Sequence, residues 1–213
     1  MEYYSFLFLY FSQNTFTFYK NFDMITSLLG GNMEKTNKKL TNFQYILLYF
    51  FIYAIIGWLL ETAFAITTLG HFVKRGFLYG PLCPIYGYGG VILIKCLKKY
   101  ENKPLKLFIY SAIVFSTFEY IAGFALDALF SARFWDYTQD FLNLNGRISL
   151  LYSFSWGIIA LIFIHFVHPS VERKVHKVLE KIPTILHGII INIALIIYII
   201  DTVLSSMRYL NMF

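Results

Sequence analysis

Charge is scarce in this sequence: 14% of its residues are Asp, Glu, Lys or Arg, against 58% that are hydrophobic. An ordinary soluble domain carries nearer a quarter charged residues, so a soluble fold is excluded and a membrane protein is expected. Cysteine is scarcer still. The only two, Cys83 and Cys96, stand at opposite ends of one expected helix, ~20 Å apart at a rise of 1.5 Å per residue, too far to pair within one chain. No GxxxxGKS/T loop occurs, so this chain is not itself an ATPase, and HExxH and CxxC are absent. His165, His168 and His176 lack the i, i+4 pairing of a helical metal site and read as interface histidines. Neither a cofactor nor an enzymatic activity is expected.

What fills the chain instead is a series of apolar runs. They lie at about residues 43–69, 82–97, 105–130, 148–167 and 183–206, each of spanning length or close to it for a hydrocarbon core about 30 Å thick. The expectation is an all-α membrane bundle over residues 43–206, with about five transmembrane helices and no separate soluble domain. The net charge of +6 is then read by position. Lys35, Lys38 and Lys39 precede the first span, lysines from Lys95 to Lys106 follow the second, and Arg173, Lys174, Lys177 and Lys181 follow the fourth. Alternating spans put all three clusters on one side, which the positive-inside rule makes cytoplasmic. Residues 33–42 form a cytoplasmic basic segment, and the tail at 207–213 is external. The start of the chain lacks the basic opening and clean apolar run of a signal peptide. Two readings of residues 1–32 stay open, a further span or a start of translation at Met33. Membrane lipids are expected partners and nucleic acid is not. With no internal repeat and an odd number of spans, any two-fold symmetry would come from a homodimer.

The few charges inside the spans gather toward the outside. Glu61 falls in the outer half of the first span, Glu119 near the middle of the third, Asp127 at its outer end, and Asp201 in the outer half of the fifth. Arg75, Arg133 and Arg147 lie in the outer connections. A charge at mid-bilayer costs at least ~2.5 kcal/mol and usually faces a bundle interior or a wet cavity. Helical spacing puts Ser116, Glu119, Gly123 and Asp127 on one face, and Gly57, Glu61, Ala65 and Thr68 on another, next to Trp58. Two such faces can pack closely. Either the acids pair with arginines to lock the bundle, or Glu61, Arg75, Glu119 and Asp127 form a substrate or ion site, joined by Asp136 and Arg147 from the outer connection.

The stretch RGFLYGPLCPIYGYGG at residues 75–90 crowds five glycines and two prolines where the second span should begin. Backbone N–H and C=O groups cannot stay unpaired against lipid, so a segment broken by Pro81 and Pro84 must be buried in protein or line a cavity. A re-entrant entry to the second span and an ordinary external turn are both open readings. Gly76, Gly80 and Gly87 allow turns and close approach, Tyr86 suits a polar wall, and Cys83 reads as a small packing residue. Arg75 is the expected partner of Glu61 or Glu119. In the outer connection, SARFWDYTQDFLNLNGRIS, Asp136 is expected to pair with Arg133 or Arg147.

These motifs carry a resemblance. GWLLE from Gly57, KRGFLYGPLCPIYGYG from Lys74, FEYIAG from Phe118, FWDY with a following GRI, and SWG from Ser155 resemble, in order, the bacterial family of putative ABC-transporter type IV membrane proteins. The likeness runs over about residues 45–157. The family often has tryptophan where Phe134 stands and glutamate where Asp127 stands, changes that keep aromatic and acidic character. The resemblance implies a permease-like subunit served by a separate cytoplasmic ATPase. On that reading the segment PSVERKVHKVLEKIP, with Val171, Val175, Val178 and Ile182 in one apolar stripe, is either the contact for the ATPase or a helix lying on anionic lipid. The alternative is a stand-alone membrane protein of envelope assembly or sensing, or a membrane-embedded enzyme acting on lipid or wall precursors.

Overall fold

A computed structural model describes residues 40–210, so the readings made for residues 1–39 and 211–213 lie outside the described residues. Helix α1 spans Asn42–Leu69. It starts at a reciprocal cap, in which Thr41 Oγ1 accepts from Gln44 N–H and the Gln44 side chain accepts from Thr41 N–H, and it stops at Gly70 in the left-handed region. Helix α2 is Pro84–Ile92, with proline in its first turn where no N–H is needed. It runs on through a π-turn, Leu93–Leu97, and a 3-10 turn, Lys98–Tyr100. Helix α3, Pro104–Phe130, also opens on proline. Helix α4, Leu150–Ile162, passes through a second π-turn, Phe163–Val167, into α5, His168–Leu179, and α6 is Thr184–Tyr209.

No strand occurs among the described residues. Four helical runs are long and apolar enough to cross a membrane: Asn42–Leu69, Pro104–Phe130, Leu150–Leu179 and Thr184–Tyr209. The chain is a multi-pass, all-helical membrane protein.

One expected boundary is corrected. The fourth span was expected to end near Val167, with a separate surface helix after it, yet the helix continues unbroken to Leu179. Pro169 brings no N–H, and its ring crowds the carbonyl four residues earlier, at His165. The widening to a π-turn over Phe163–Val167 falls just there and lets the helix pass the proline.

Glycine decides how α1 and α2 pack. A methyl at Gly57 would overlap the Tyr86 ring, one at Gly87 would lie 2.7 Å from the Phe50 carbonyl oxygen, and one at Gly90 would lie 2.5 Å from Tyr53. The glycine-bearing face of α1 therefore meets α2. The polar face of α3 meets α4 instead: Ser116 Oγ donates to Ser153 Oγ at 2.6 Å, and Gly123 packs against Trp135 and Arg147. The two faces, which could have packed on each other, thus take different partners, because helical spacing defines a face and leaves its partner open.

The chain between α1 and α2 descends along its neighbours in steps. Arg208 Nη2 donates to Phe77 O at 2.7 Å, near the end of α6. Tyr79 and Gly80 N–H then donate to the Asp201 carboxylate, both at 2.8 Å. Finally Cys83 N–H donates to Ala54 O at 3.0 Å, ~22 Å below the end of α1. At the opposite end of the bundle, Tyr53 OH meets His168 Nδ1 at 2.8 Å, the His165 ring meets Glu101 O at 3.1 Å, and Lys98 reaches Glu172 at 4.0 Å. His165 and His176 are exposed, whereas His168 is buried against Tyr53, so its reading as an interface residue is corrected.

Candidate functional site

Glu119 sits on the buried face of α3, in line with Leu107, Ser111 and Phe115, and is 5% exposed. Its two oxygens accept from neutral donors only. Tyr137 OH, from the connection 131–149, donates to Oε1 at 2.9 Å, and Trp156 Nε1, from α4, donates to Oε2 at 2.7 Å. Tyr137 stacks on Tyr152 with centroids 4.0 Å apart, and Phe115 stacks on Trp156 at 5.3 Å, so both donors are fixed in orientation. Burial, with the Glu119 carboxyl beside it, pushes the Tyr137 phenol well above its ordinary range, which keeps its proton in place as a donor.

Glu61, half-buried on α1, accepts from Tyr86 OH of α2. Tyr86 lies within electrostatic reach of both Glu61 and Glu119, and Tyr137 within reach of Tyr86. Two hydrogen-bonded polar groups result, Glu61 with Tyr86 between α1 and α2, and Glu119 with Tyr137 and Trp156 between α3, α4 and the connection before α4, and together they make up the polar cluster of the bundle. Cys83, buried at the start of α2, lies beside Glu61. Both cysteines are free, as their spacing requires.

The charged partners fall elsewhere than expected. Arg75 makes no ion pair with Glu61 or Glu119 among the described residues; its Nε is buried without a hydrogen-bond partner. The stretch before α2 is held by its backbone N–H groups on Asp201, and the two glutamates are already occupied by tyrosine and tryptophan. Asp136 pairs with neither arginine. Its Oδ1 accepts from Thr138 N–H at 3.0 Å, which holds the carboxyl below its usual range and closes a turn around Gly146, φ +67°. Both arginines go to Asp127: Arg147 Nη2 at 2.8 Å and Arg133 Nη2 at 3.4 Å from the same oxygen.

The Asp127–Arg147 pair is a structural pin. The Arg147 side chain is 17% exposed, lies over the rings of Tyr120 and Phe124, and accepts Trp135 Nε1 on its backbone oxygen at 3.0 Å. Arg147→Ala is expected to cost about 2 kcal/mol or more in detergent unfolding, and Asp127→Ala less, because only the first also removes ring packing. The double variant should cost less than the two single losses together.

Sequence spacing singled out Glu61, Glu119 and Tyr86 without linking them. Trp156 stood in a recognised motif and Tyr152 drew no notice. An indole one helical face from an acid is a donor only when a second helix is brought to it, which no spacing within one helix records.

The fold and this cluster define a class: a multi-pass helical membrane protein with carboxylates held inside its bundle by neutral donors. Residues 48–206 match the family described as putative ABC-transporter type IV, and the chain belongs to it. No curated protein and no solved structure matches it.

Proposed function

We propose that this chain is the permease-like membrane subunit of an ABC-type transporter whose ATPase is a separate protein, and that Glu61 and Glu119 with Tyr86, Tyr137 and Trp156 are its polar site. One observation carries this reading: Glu119, 5% exposed in a membrane-spanning helix, accepts only from neutral groups. A charged carboxylate at mid-bilayer costs about 2.5–3.5 kcal/mol on insertion scales, and among the described residues no cation pairs with this one to offset that cost. Its retention is accounted for by a task that needs an acid, such as holding a cationic group or a proton in transit.

On this reading the descending stretch 71–83 is a re-entrant segment, and α2 with its π-turn completes a fifth crossing. The lysine clusters then lie in the cytoplasm and the C-terminus outside. The acids stand in the outer half, with the stacked Phe115–Trp156 pair on their inner side. Below that pair, Leu93, Leu97, Leu107 and Ile164 form an apolar layer that closes the inner side of the bundle. Val171 and Val175 of α5, with exposed Val178, offer an apolar strip among basic residues for the ATPase to engage. The chain itself performs no hydrolysis.

The test is a pair of isosteric substitutions. Glu61→Gln and Glu119→Gln keep an acceptor for the tyrosine or tryptophan donor and remove the charge. Both proteins are expected to insert and to melt within about 4 °C of wild type, a change of roughly 1 kcal/mol for a domain of this size. ATP turnover by the assembled transporter is expected to fall at least ~10-fold in Glu119→Gln. Full turnover in both variants would make the carboxylates structural and remove the basis of the site.

A further inference from the structure

Around the stretch before α2 lie cations that make no ion pair among the described residues. Lys74 Nζ lies 4.8 Å and Arg208 Cζ 4.3 Å from the centre of the same ring, that of Tyr79. The acid beside them, Asp201, is already fully engaged: Oδ1 accepts from Tyr79 N–H at 2.8 Å and Ser205 Oγ at 3.0 Å, and Oδ2 from Gly80 N–H at 2.8 Å. Neither Lys74 nor Arg208 forms an ion pair among the described residues, and the same holds for Arg75, whose Nε is buried without an acceptor. Arg208 spends one donor on Phe77 O and spreads its guanidinium over the rings of Tyr79 and Tyr209. Partial burial and the neighbouring Arg208 hold the Lys74 ammonium below its ordinary range, against the opposing pull of the Asp201 carboxylate.

The surroundings are those of a membrane interface. Phe77 packs on Phe130 and stacks on Tyr209, Phe134 closes the same cluster, and the exposed faces of Phe134 and Tyr79 look outward. Rings such as these suit the upper part of an acyl chain, while an ammonium and a guanidinium held against one ring suit a phosphate.

We infer that Lys74 and Arg208, both set against the Tyr79 ring, form a binding site for a phosphate group, carried on the headgroup of an anionic lipid. This goes beyond the transport reading, since it involves neither Glu61 nor Glu119 and stands whether or not an ATPase joins the chain.

Native mass spectrometry of the full chain in mild detergent tests it, with phosphatidylglycerol or phosphatidylcholine added at equal concentration. Wild type is expected to retain phosphatidylglycerol in clear preference to phosphatidylcholine. Lys74→Gln, a change at an exposed side chain that removes its charge and its contact with the Tyr79 ring, is expected to lower that occupancy about fivefold, the worth of one cation near an anionic headgroup. Lys74→Gln with Arg208→Gln should abolish the preference, and Lys99→Gln, at the far end of the bundle, should leave it intact. A second arm adds inorganic pyrophosphate without lipid and follows the melting temperature. A rise that Lys74→Gln removes, with no lipid preference in the first arm, would keep the phosphate site and make its ligand a free anion. Equal retention of the two lipids together with no effect of pyrophosphate, or a Lys74→Gln protein indistinguishable from wild type in both arms, would overturn the inference.

Discussion

Gly57→Ala is expected to destabilise the protein more than any other single methyl addition on α1, by about 3 kcal/mol, or a fall of roughly 10 °C in melting temperature. The added carbon meets Cβ, Cγ and Cδ2 of Tyr86, the root of the side chain and not its mobile end, so rotation about the outer bonds gives no relief. Only a shift of α2 away from α1 makes room. That shift would also pull on Cys83 N–H, which is bonded to Ala54 O, and on Tyr86 OH, which is bonded to Glu61. Stability and the polar cluster should therefore fail together. Gly188→Ala supplies the contrast. There the new methyl meets Gln44 Nε2 at 2.8 Å, the far end of a flexible side chain, and the change should cost less than about 0.5 kcal/mol. Thermal unfolding of the two proteins in one detergent separates them, and equal melting temperatures would mean that α1 and α2 do not approach this closely.

Asp201→Ala is expected to release the stretch between α1 and α2. Asp201 receives two backbone N–H groups and the Ser205 hydroxyl, and hydrogen bonds to a charged acceptor contribute about 1.5–3 kcal/mol each before relaxation. Alanine leaves Gly80 N–H without an acceptor and Tyr79 N–H with Ser205 Oγ alone, at 3.1 Å, in a half-buried setting, for a net loss of about 2 kcal/mol or more. Asn should lose roughly half as much, since its oxygen keeps the Tyr79 and Ser205 donors while its NH2 faces Gly80 N–H. Ser205→Ala should cost least. Limited proteolysis gives a second reading, because cleavage between Gly76 and Pro81 should rise in the same order. A protease pattern unchanged in Asp201→Ala would mean that other contacts hold the stretch.

Much of the helix layout is legible in the apolar runs. The run at 43–69 becomes α1, Asn42–Leu69, and the run at 105–130 becomes α3, Pro104–Phe130, because unbroken hydrocarbon between capping signals has one favourable outcome in a bilayer. The continuation of the fourth span to Leu179 was not legible, since the apolar run stops at Val167 and a π-turn that carries a helix past Pro169 cannot be read from side-chain types. The acids were legible as anomalies in apolar helices, but their partners were not. Charge complementarity pointed Arg75 at Glu61 or Glu119, whereas neutral donors from other segments, Tyr86, Tyr137 and Trp156, reached the carboxylates first. Asp201, read from sequence only by its depth, turned out to fix the Gly/Pro stretch, because a carboxylate answers the exposed N–H groups that a broken segment leaves behind.

The central claim is that this chain works as the membrane half of a two-component transporter. The most direct measurement is affinity purification of the full chain from its own membranes in mild detergent, with accompanying proteins identified by mass spectrometry. The account predicts a cytoplasmic protein carrying a phosphate-binding GxxxxGKS/T loop, in near-stoichiometric amount, that is lost when Val171, Val175 and Val178 of α5 are changed together to serine. A chain that purifies without any such ATPase, in several detergents and after crosslinking in the membrane, would contradict the account and leave a stand-alone membrane protein in its place.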